Sequence, residues 1–460
     1  MYSKAHNQKK SFIALIEQPA VIGLLFALII LTLGSTGSPV SIGITGILLC
    51  LIGLFQKTLK VDLWIFLPLL LYGIFSLISS YIAINTPFSG YVYAQLICPI
   101  IYILATSLGE HDRTVLRSLA LLYTAIISAV GILQFLVESF KDTANRLGGI
   151  FDNANVMGIF LVMSWFSLLM LKSQARSENS LYRSLLKHLE PIFMCGIALT
   201  LSMGSFVAMA IGILVLVIYK IRTNSFSAAA IFLAEILARA SIGIGSGLLI
   251  YIAATRTDST LLFISVALCY IAVVVLWNRF EEYIHFNKLV SFFIVLLGLL
   301  VSLAVFIIRF TSIYTFFERI EMMKTGFGYM LGNPLTGVGP MRWHLMNMFD
   351  GDNYFNTWYI HDMFIHIGAE LGVIAAILLL IIMVRSLIKQ RQPEALAGIA
   401  ALTFHYSIDV GFAYMGIATA AILLLGTPCE KEKSVGNPVA KFLFIFYAVL
   451  LILGLLKNMP

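Results

Sequence analysis

Charge is scarce in this chain: only 12% of its 460 residues are Asp, Glu, Lys or Arg, against 60% that are hydrophobic. Water-soluble domains average about 25% charged residues, so a soluble fold is excluded and a bilayer is the expected solvent. Alternating strands are missing as well. A transmembrane barrel is built from alternating segments of roughly ten residues, whereas 20–33 and 289–308 are continuously apolar. The five cysteines, Cys50, Cys98, Cys195, Cys269 and Cys429, show no metal-type spacing. Neither a disulfide framework nor a cysteine metal site is expected from them, and no cofactor is implied. No internal repeat is evident, which removes the usual support for an inverted-repeat transporter. The formal net charge is +7, but the Lys and Arg are scattered through short loops, so nucleic acid is not an expected partner.

What the chain does have is a succession of apolar stretches from residue 20 almost to its end. A spanning helix needs about 20 such residues, so the pattern predicts an all-α polytopic membrane protein with about 12–15 transmembrane helices. The basic segment Met1 to Lys10 leads to an apolar stretch without a convincing cleavage site and reads as an uncleaved anchor. Placing the amino terminus in the cytoplasm puts roughly 21 of the 30 Lys and Arg on the cytoplasmic side, as the positive-inside rule requires. Three regions result: a bundle over 1–309, one long extracytoplasmic connection over 310–366, and further spans over 367–460. Most other loops are too short to hold a site, so 310–366 is where chemistry is expected, with a smaller outer loop at 138–153.

Within the long connection the order is Arg319, Lys324, then Gly332-Asn333-Pro334-Leu335-Thr336-Gly337-Val338-Gly339-Pro340, then Arg342, His344 and His361-Asp362. Pro334 and Pro340 fix their φ angles while Gly337 and Gly339 permit unusual ones. A defined turn with accessible backbone N–H groups is expected, able to approach an anion; equally, Gly and Pro can simply separate two helices. Arg319, Lys324 and Arg342 lie where the positive-inside bias depletes cations. Either they meet a phosphate-bearing ligand or they snorkel to lipid headgroups, and Arg146 in the smaller loop has the same two readings. His361 has the chemistry of a general base at neutral pH, beside the structural role common to loop histidines.

Asp350-Gly351-Asp352-Asn353 can hold a divalent cation or form a polar turn; the turn is the commoner use, and no metal is expected. Trp343, Phe349, Tyr354, Phe355, Trp358 and Tyr359 fit either an interfacial belt or sugar-stacking platforms, and both uses predict a surface-lying segment. Two pairs at four-residue spacing, Glu235 with Arg239 and His405 with Asp409, are expected to share a helical face and neutralise each other. The alternative use of such pairs is a proton relay in a transporter.

Taken together, Arg319, Asn333-Pro334-Leu335-x-Gly337-Val338-Gly339-Pro340, His361-Asp362-x-Phe364 and Glu370-Leu371-Gly372 resemble the core of the bacterial O-antigen ligase and polymerase superfamily. The stretch Arg146-Leu147-Gly148-Gly149-Ile150-Phe151-Asp152-Asn153-Ala154-Asn155 is similar to that superfamily's earlier R-x-x-G-x-F-x-N-x-N element. The resemblance covers about residues 146–372. It implies a metal-independent glycosyltransferase of the cytoplasmic (inner) membrane whose donor is a glycan on an undecaprenyl diphosphate carrier and whose acceptor is a saccharide, with the site facing outside. His361 would deprotonate the acceptor hydroxyl, Arg319 would bind the diphosphate, and Arg146 and Arg342 would be further clamps around the turn of Pro334, Gly337 and Gly339. Envelope polysaccharide assembly proteins become conceivable partners.

One departure from the pattern concerns Ser202-Met203-Gly204-Ser205, where the family's S-R-G-like element has Arg at the place of Met203. Arg239 or Arg342 can substitute, or substrate use differs, or activity is lost. Asp362 stands where Asn is commoner, and a carboxylate there can raise the basicity of His361. Besides the transferase, a flippase or transporter of lipid-linked glycans and a catalytically silent scaffold fit the sequence.

Overall fold

The computed structural model describes residues 19–34, 38–56, 59–88, 90–139, 146–174, 180–256, 259–308, 312–349, 355–426 and 433–458. The expected anchor Met1 to Lys10 and the Asp350-Gly351-Asp352-Asn353 segment lie outside the described residues.

The protein is an all-α polytopic membrane protein. Among the described residues six helices are long and apolar enough to cross a membrane: Leu63–Ile84, Glu110–Ser139, Ala154–Gln174, Met203–Thr223, Phe226–Arg256 and Pro438–Asn458. Thr260–Val275 and Trp277–His285 make a further span if the pair, bent by 66°, is taken as one. Shorter apolar helices include Pro19–Leu33 and Pro39–Leu54. The strands found among the described residues are Leu59–Val61 and Lys433–Val435, paired antiparallel with Leu59 opposite Val435.

The pattern of exposure is that of helices in lipid. Along Leu63–Ile84 the apolar Leu67, Leu71, Ile78 and Ile82 face outward, while Tyr72, Ser76, Ser79 and Ser80 are buried. Leu122, Ile126, Val130, Leu133 and Val137 form a similar outward stripe on Glu110–Ser139. Hydrocarbon outside and small polar side chains inside is how helices associate where water is absent.

The chain divides into two compact units. The first comprises Met1–Ala120, Glu321–Gln390 and Phe412–Pro460; the second comprises Leu121–Ile320 and Arg391–Gly411. This division cuts across the expected regions 1–309, 310–366 and 367–460, and helix Met363–Leu371 runs through the 366/367 boundary. The segment 310–366 is itself largely helical, with Ser312–Gly332 and Arg342–Phe349 inside it.

In the first unit, Leu63–Ile84 packs against Val373–Lys389, and Pro39–Leu54 packs against Asn437–Asn458. Asp62 caps the former helix by accepting from Trp64 N and also pairs with Arg385 at 2.8 Å, so a nearly fully buried carboxylate has both a donor and a cation. In the second unit Ala154–Gln174 is the central post. Its sequence is apolar on every side and 89% of its spanning window is buried, in line with the rule that an all-round apolar helix sits inside a bundle. Ser180–Thr200, Met203–Thr223 and Pro393–Tyr406 surround it.

The charged residues of the second unit pair differently from the four-residue expectation. Arg239 bonds Glu281 at 2.8 Å and lies 3.7 Å from the fully buried Glu190, while Glu235 meets His285 at 3.1 Å. Lys172 bridges Glu190 and Glu281, each at 2.8 Å. Long side chains reach across to neighbouring helices, where buried carboxylates need a cation more than Glu235 does. His405 and Asp409 do not share a helical face either, because the helix Pro393–Tyr406 ends before Asp409.

Candidate functional site

Two of the resemblance motifs, the Asn333–Pro340 turn and Glu370-Leu371-Gly372, fold into one clamp in the first unit. After helix Ser312–Gly332 the chain turns at Asn333, and Gly337 N donates to Asn333 O at 2.9 Å. The turn then lies along the end of helix Met363–Leu371: Val338 N donates to Ala369 O, Gly339 N to Glu370 O, and Val373 N to Pro334 O. Gly337 has φ +63°, and a Cβ there would overlap the backbone of Glu370, so both its conformation and its closeness require glycine. Gly372, with φ +92°, breaks the returning helix where Pro334 and Leu335 press on it. The expectation of accessible N–H groups is therefore corrected. Those of Gly337, Val338 and Gly339 are consumed internally, because the turn is buried against a helix end whose carbonyls need donors.

Glu370 locks the other side of this clamp. Its fully buried carboxylate accepts from Tyr91 Oη at 2.6 Å and Met341 N at 2.8 Å through Oε2, and from Trp343 N at 3.0 Å through Oε1. Met341 has φ +61°, an uncommon conformation for a non-glycine residue, and the carboxylate holds it there. Three donors on one buried carboxylate offset part of the cost of burying it.

His361 follows the fully buried Ile360 and is itself half-buried. Asp362 caps helix Met363–Leu371 by accepting from Ile365 N at 2.8 Å, and burial raises its pKa above the ordinary carboxylate value. A carboxylate so placed serves the helix start. One turn further on, His366 is enclosed by Tyr91, Tyr359 and Phe412, with ring centroids 5.9, 5.3 and 5.4 Å away, and its Nε2 lies 3.5 Å from Glu370 Oε2. Burial first, and the charge of His361 second, push the His366 pKa down to about 3, so its imidazole is neutral at physiological pH. Arg342 is exposed at the start of helix Arg342–Phe349. Lys324 pairs with Glu321 at 2.6 Å.

The aromatic residues divide in a way the sequence did not anticipate. Trp343 and Phe355 belong to a core with Met322, Ile360 and Ala369, whereas Phe349 and Trp358 are exposed, the latter stacked on His344 at 4.3 Å. A uniformly surface-lying segment is thus corrected: half of it is core, since the clamp needs apolar support. Tyr354 lies outside the described residues.

A second gathering of motif residues occurs in the second unit. Arg146 donates from Nε to Thr200 O and from Nη2 to Asn155 Oδ1, both at 2.8 Å, which ties the R-x-x-G-x-F-x-N-x-N stretch to a helix end. Ser205 Oγ reaches Asn155 O at 3.4 Å. Met203, half-buried, opens helix Met203–Thr223 behind the cap Ser202. A Cβ on Gly204 would sit 3.6 Å from Asp409 Oδ2 and 3.7 Å from His405, so Asp409 lies beside that helix start. Arg319 Nη1 donates to Asp409 Oδ2 at 3.0 Å and to Ile408 O at 2.7 Å, and the side chain keeps 22% of its surface exposed.

Arg146 and Arg319 thus belong to the second unit, and Arg342, His361 and the turn of Pro334, Gly337 and Gly339 to the first. Sequence reasoning missed Tyr91 and undervalued Glu370 and Asp409. The E-L-G spacing marked Glu370, but nothing marked its donors. No protein-family model and no curated protein matches this chain.

Proposed function

We propose that the chain transfers a glycan from a polyprenyl diphosphate carrier to a saccharide acceptor on the outer face of the cytoplasmic membrane, as an O-antigen ligase-like or polymerase-like enzyme. The observation that carries this reading is the clamp: the Asn333–Pro340 turn and the Glu370-Leu371-Gly372 break, which the resemblance links only by order, are hydrogen-bonded into one element that leads directly to His361. A pre-organised support of this kind is what a catalytic base needs.

In this reading His361 takes the proton of the acceptor hydroxyl as that oxygen attacks the anomeric carbon. The bond from that carbon to the carrier diphosphate breaks, and an arginine stabilises the charge that develops on the leaving diphosphate, the role that the resemblance gives to Arg319. Asp409 and Ile408 O hold one nitrogen of the guanidinium and so aim the remaining fork. Arg342 is an additional exposed cation for the carrier, and Arg146 serves in organising its own loop. Purified protein in liposomes, given carrier-linked glycan and candidate acceptors, tests the reading. Transfer should fall at least about a hundredfold in His361→Ala and Arg319→Ala variants, the scale of general-base and charge stabilisation; undiminished transfer refutes it.

The second reading is a carrier of anionic lipid-linked glycans, favoured by the Lys172, Glu190, Glu281 and Arg239 network, which joins helices Ala154–Gln174, Ser180–Thr200, Trp277–Phe286 and Phe226–Arg256. Movement of labelled glycan lipid across a sealed vesicle without covalent change would decide for it.

A further inference from the structure

Beside Arg146 in the second unit, where helix Glu110–Ser139 ends, there is a cavity of about 220 Å³. Gln134, Glu138, Arg146 and Asp152 line it, together with Phe135 and the backbone of Gly148 and Gly149. Two carboxylates thus face one guanidinium, and that guanidinium already donates to Thr200 O and Asn155 Oδ1. An anion entering here meets two carboxylates of the described lining and one guanidinium that is already engaged, and charges a few ångströms apart interact strongly once partly removed from water. A hydrocarbon group fares no better, since it would strip water from four polar side chains.

Hydroxyl groups, by contrast, match every element of the lining. A carboxylate accepts up to about four hydrogen bonds, so Glu138 and Asp152 can each take sugar O–H donors besides their protein contacts. Gln134 Nε2 donates to Glu138 Oε1 at 2.8 Å, which orients that carboxylate. Gly149, at φ +55°, lets the lining backbone turn tightly against Met157, where a Cβ would be 3.1 Å from Sδ. Phe135, Leu147 and Ala154 complete the lining with apolar atoms, Phe135 and Leu147 almost fully buried behind the polar groups. The volume holds one pyranose ring.

We propose that this cavity is a subsite for one uncharged sugar ring and rejects acidic sugars and phosphate. Sugar binding stands on the lining alone; its service as a subsite for the transferred glycan rests on the proposed transferase function.

The test uses the full-length protein in nanodiscs and saturation-transfer NMR with glucose, galactose, mannose, glucuronate and pyrophosphate as probes. At least one neutral hexose should receive saturation, while glucuronate and pyrophosphate should not compete for it. Glu138→Gln with Asp152→Asn should weaken the hexose about tenfold or more, the loss of about one charge-assisted hydrogen bond, and should admit glucuronate. Gln134→Trp, which fills the cavity from an exposed position, should abolish the signal with an unchanged melting temperature. No signal from any hexose, or hexose binding untouched by Gln134→Trp, overturns the proposal, as does pyrophosphate binding that depends on Glu138. A transfer assay on the same variants separates the two readings. Hexose binding without any transfer sinks the enzyme and keeps the subsite, whereas transfer unaffected by Gln134→Trp keeps the enzyme and sinks the subsite.

Discussion

Arg319 and Asp409, ninety residues apart in sequence, meet at 3.0 Å, and the carboxylate of the pair is almost wholly buried while the guanidinium keeps an exposed edge. Removing the cation strands the acid. Arg319→Ala should therefore destabilise the protein by about 1–3 kcal/mol, and Arg319→Ala with Asp409→Ala should recover part of that loss. Thermal midpoints in detergent for the two singles and the double close the cycle. A double variant that melts lower than the sum of its singles would rule out the pairing.

Glu370→Gln keeps the shape of the side chain but turns one acceptor into a donor that faces Met341 N, Trp343 N or Tyr91 Oη. A cost of about 2–4 kcal/mol is expected, since a buried polar group loses its partners. Hydrogen exchange at Met341 and Trp343 should accelerate before that of helix Leu63–Ile84. Equal protection in the variant would show that the carboxylate does not hold the turn.

Gly337→Ala meets both a positive φ and the Glu370 backbone. The strain alone costs about 1–2 kcal/mol, and the overlap adds displacement of the turn from Ala369 and Glu370. Gly328→Ala, in open space on helix Ser312–Gly332, should be neutral or slightly stabilising and serves as the control. Similar melting of the two variants would contradict the clamp.

The pH response follows from His366. Its folded-state pKa of about 3 lies below the ordinary 6.5, so between these values the unfolded chain binds the extra proton and the contribution of His366 to stability falls as pH drops below about 6.5. Asp362 and Glu370 work in the opposite sense, because burial raises both pKa values, that of Glu370 to about 7, and so favours the folded state when they are protonated. His366→Phe, which suits the enclosure by Tyr91, Tyr359 and Phe412, should flatten the melting temperature between pH 7.5 and 5. An unchanged slope would assign the acid sensitivity elsewhere.

Fold class was legible because a run of apolar residues long enough to cross hydrocarbon has few other uses. Hydropathy marks spans at 154–172 and 227–253, and the helices Ala154–Gln174 and Phe226–Arg256 match them to within three residues at each end. Breaks were harder to see. Gly372 interrupts a continuous apolar pattern, and the bend between Val275 and Trp277 falls between two apolar helices, so period and hydropathy pass over both.

The clamp was half legible. Gly337, Pro334 and Glu370 are visible as residue types at fixed order. The groups that bind Glu370 are two backbone N–H groups and a tyrosine 279 residues away, and backbone donors carry no signature in the sequence. Partner choice failed for a related reason. Four-residue spacing describes one helix, whereas Arg239 and Asp409 find their counter-charges on other parts of the chain.

Helix Ala154–Gln174, walled off by its neighbours, has almost no contact with acyl chains. Hydrophobic mismatch can therefore act on the second unit only through its outer helices, which can tilt as the membrane thins or thickens while the central one stays in register with the protein around it. The gathering of Arg146, Ser202 and Asp409 near that helix is thereby insulated from changes in lipid composition.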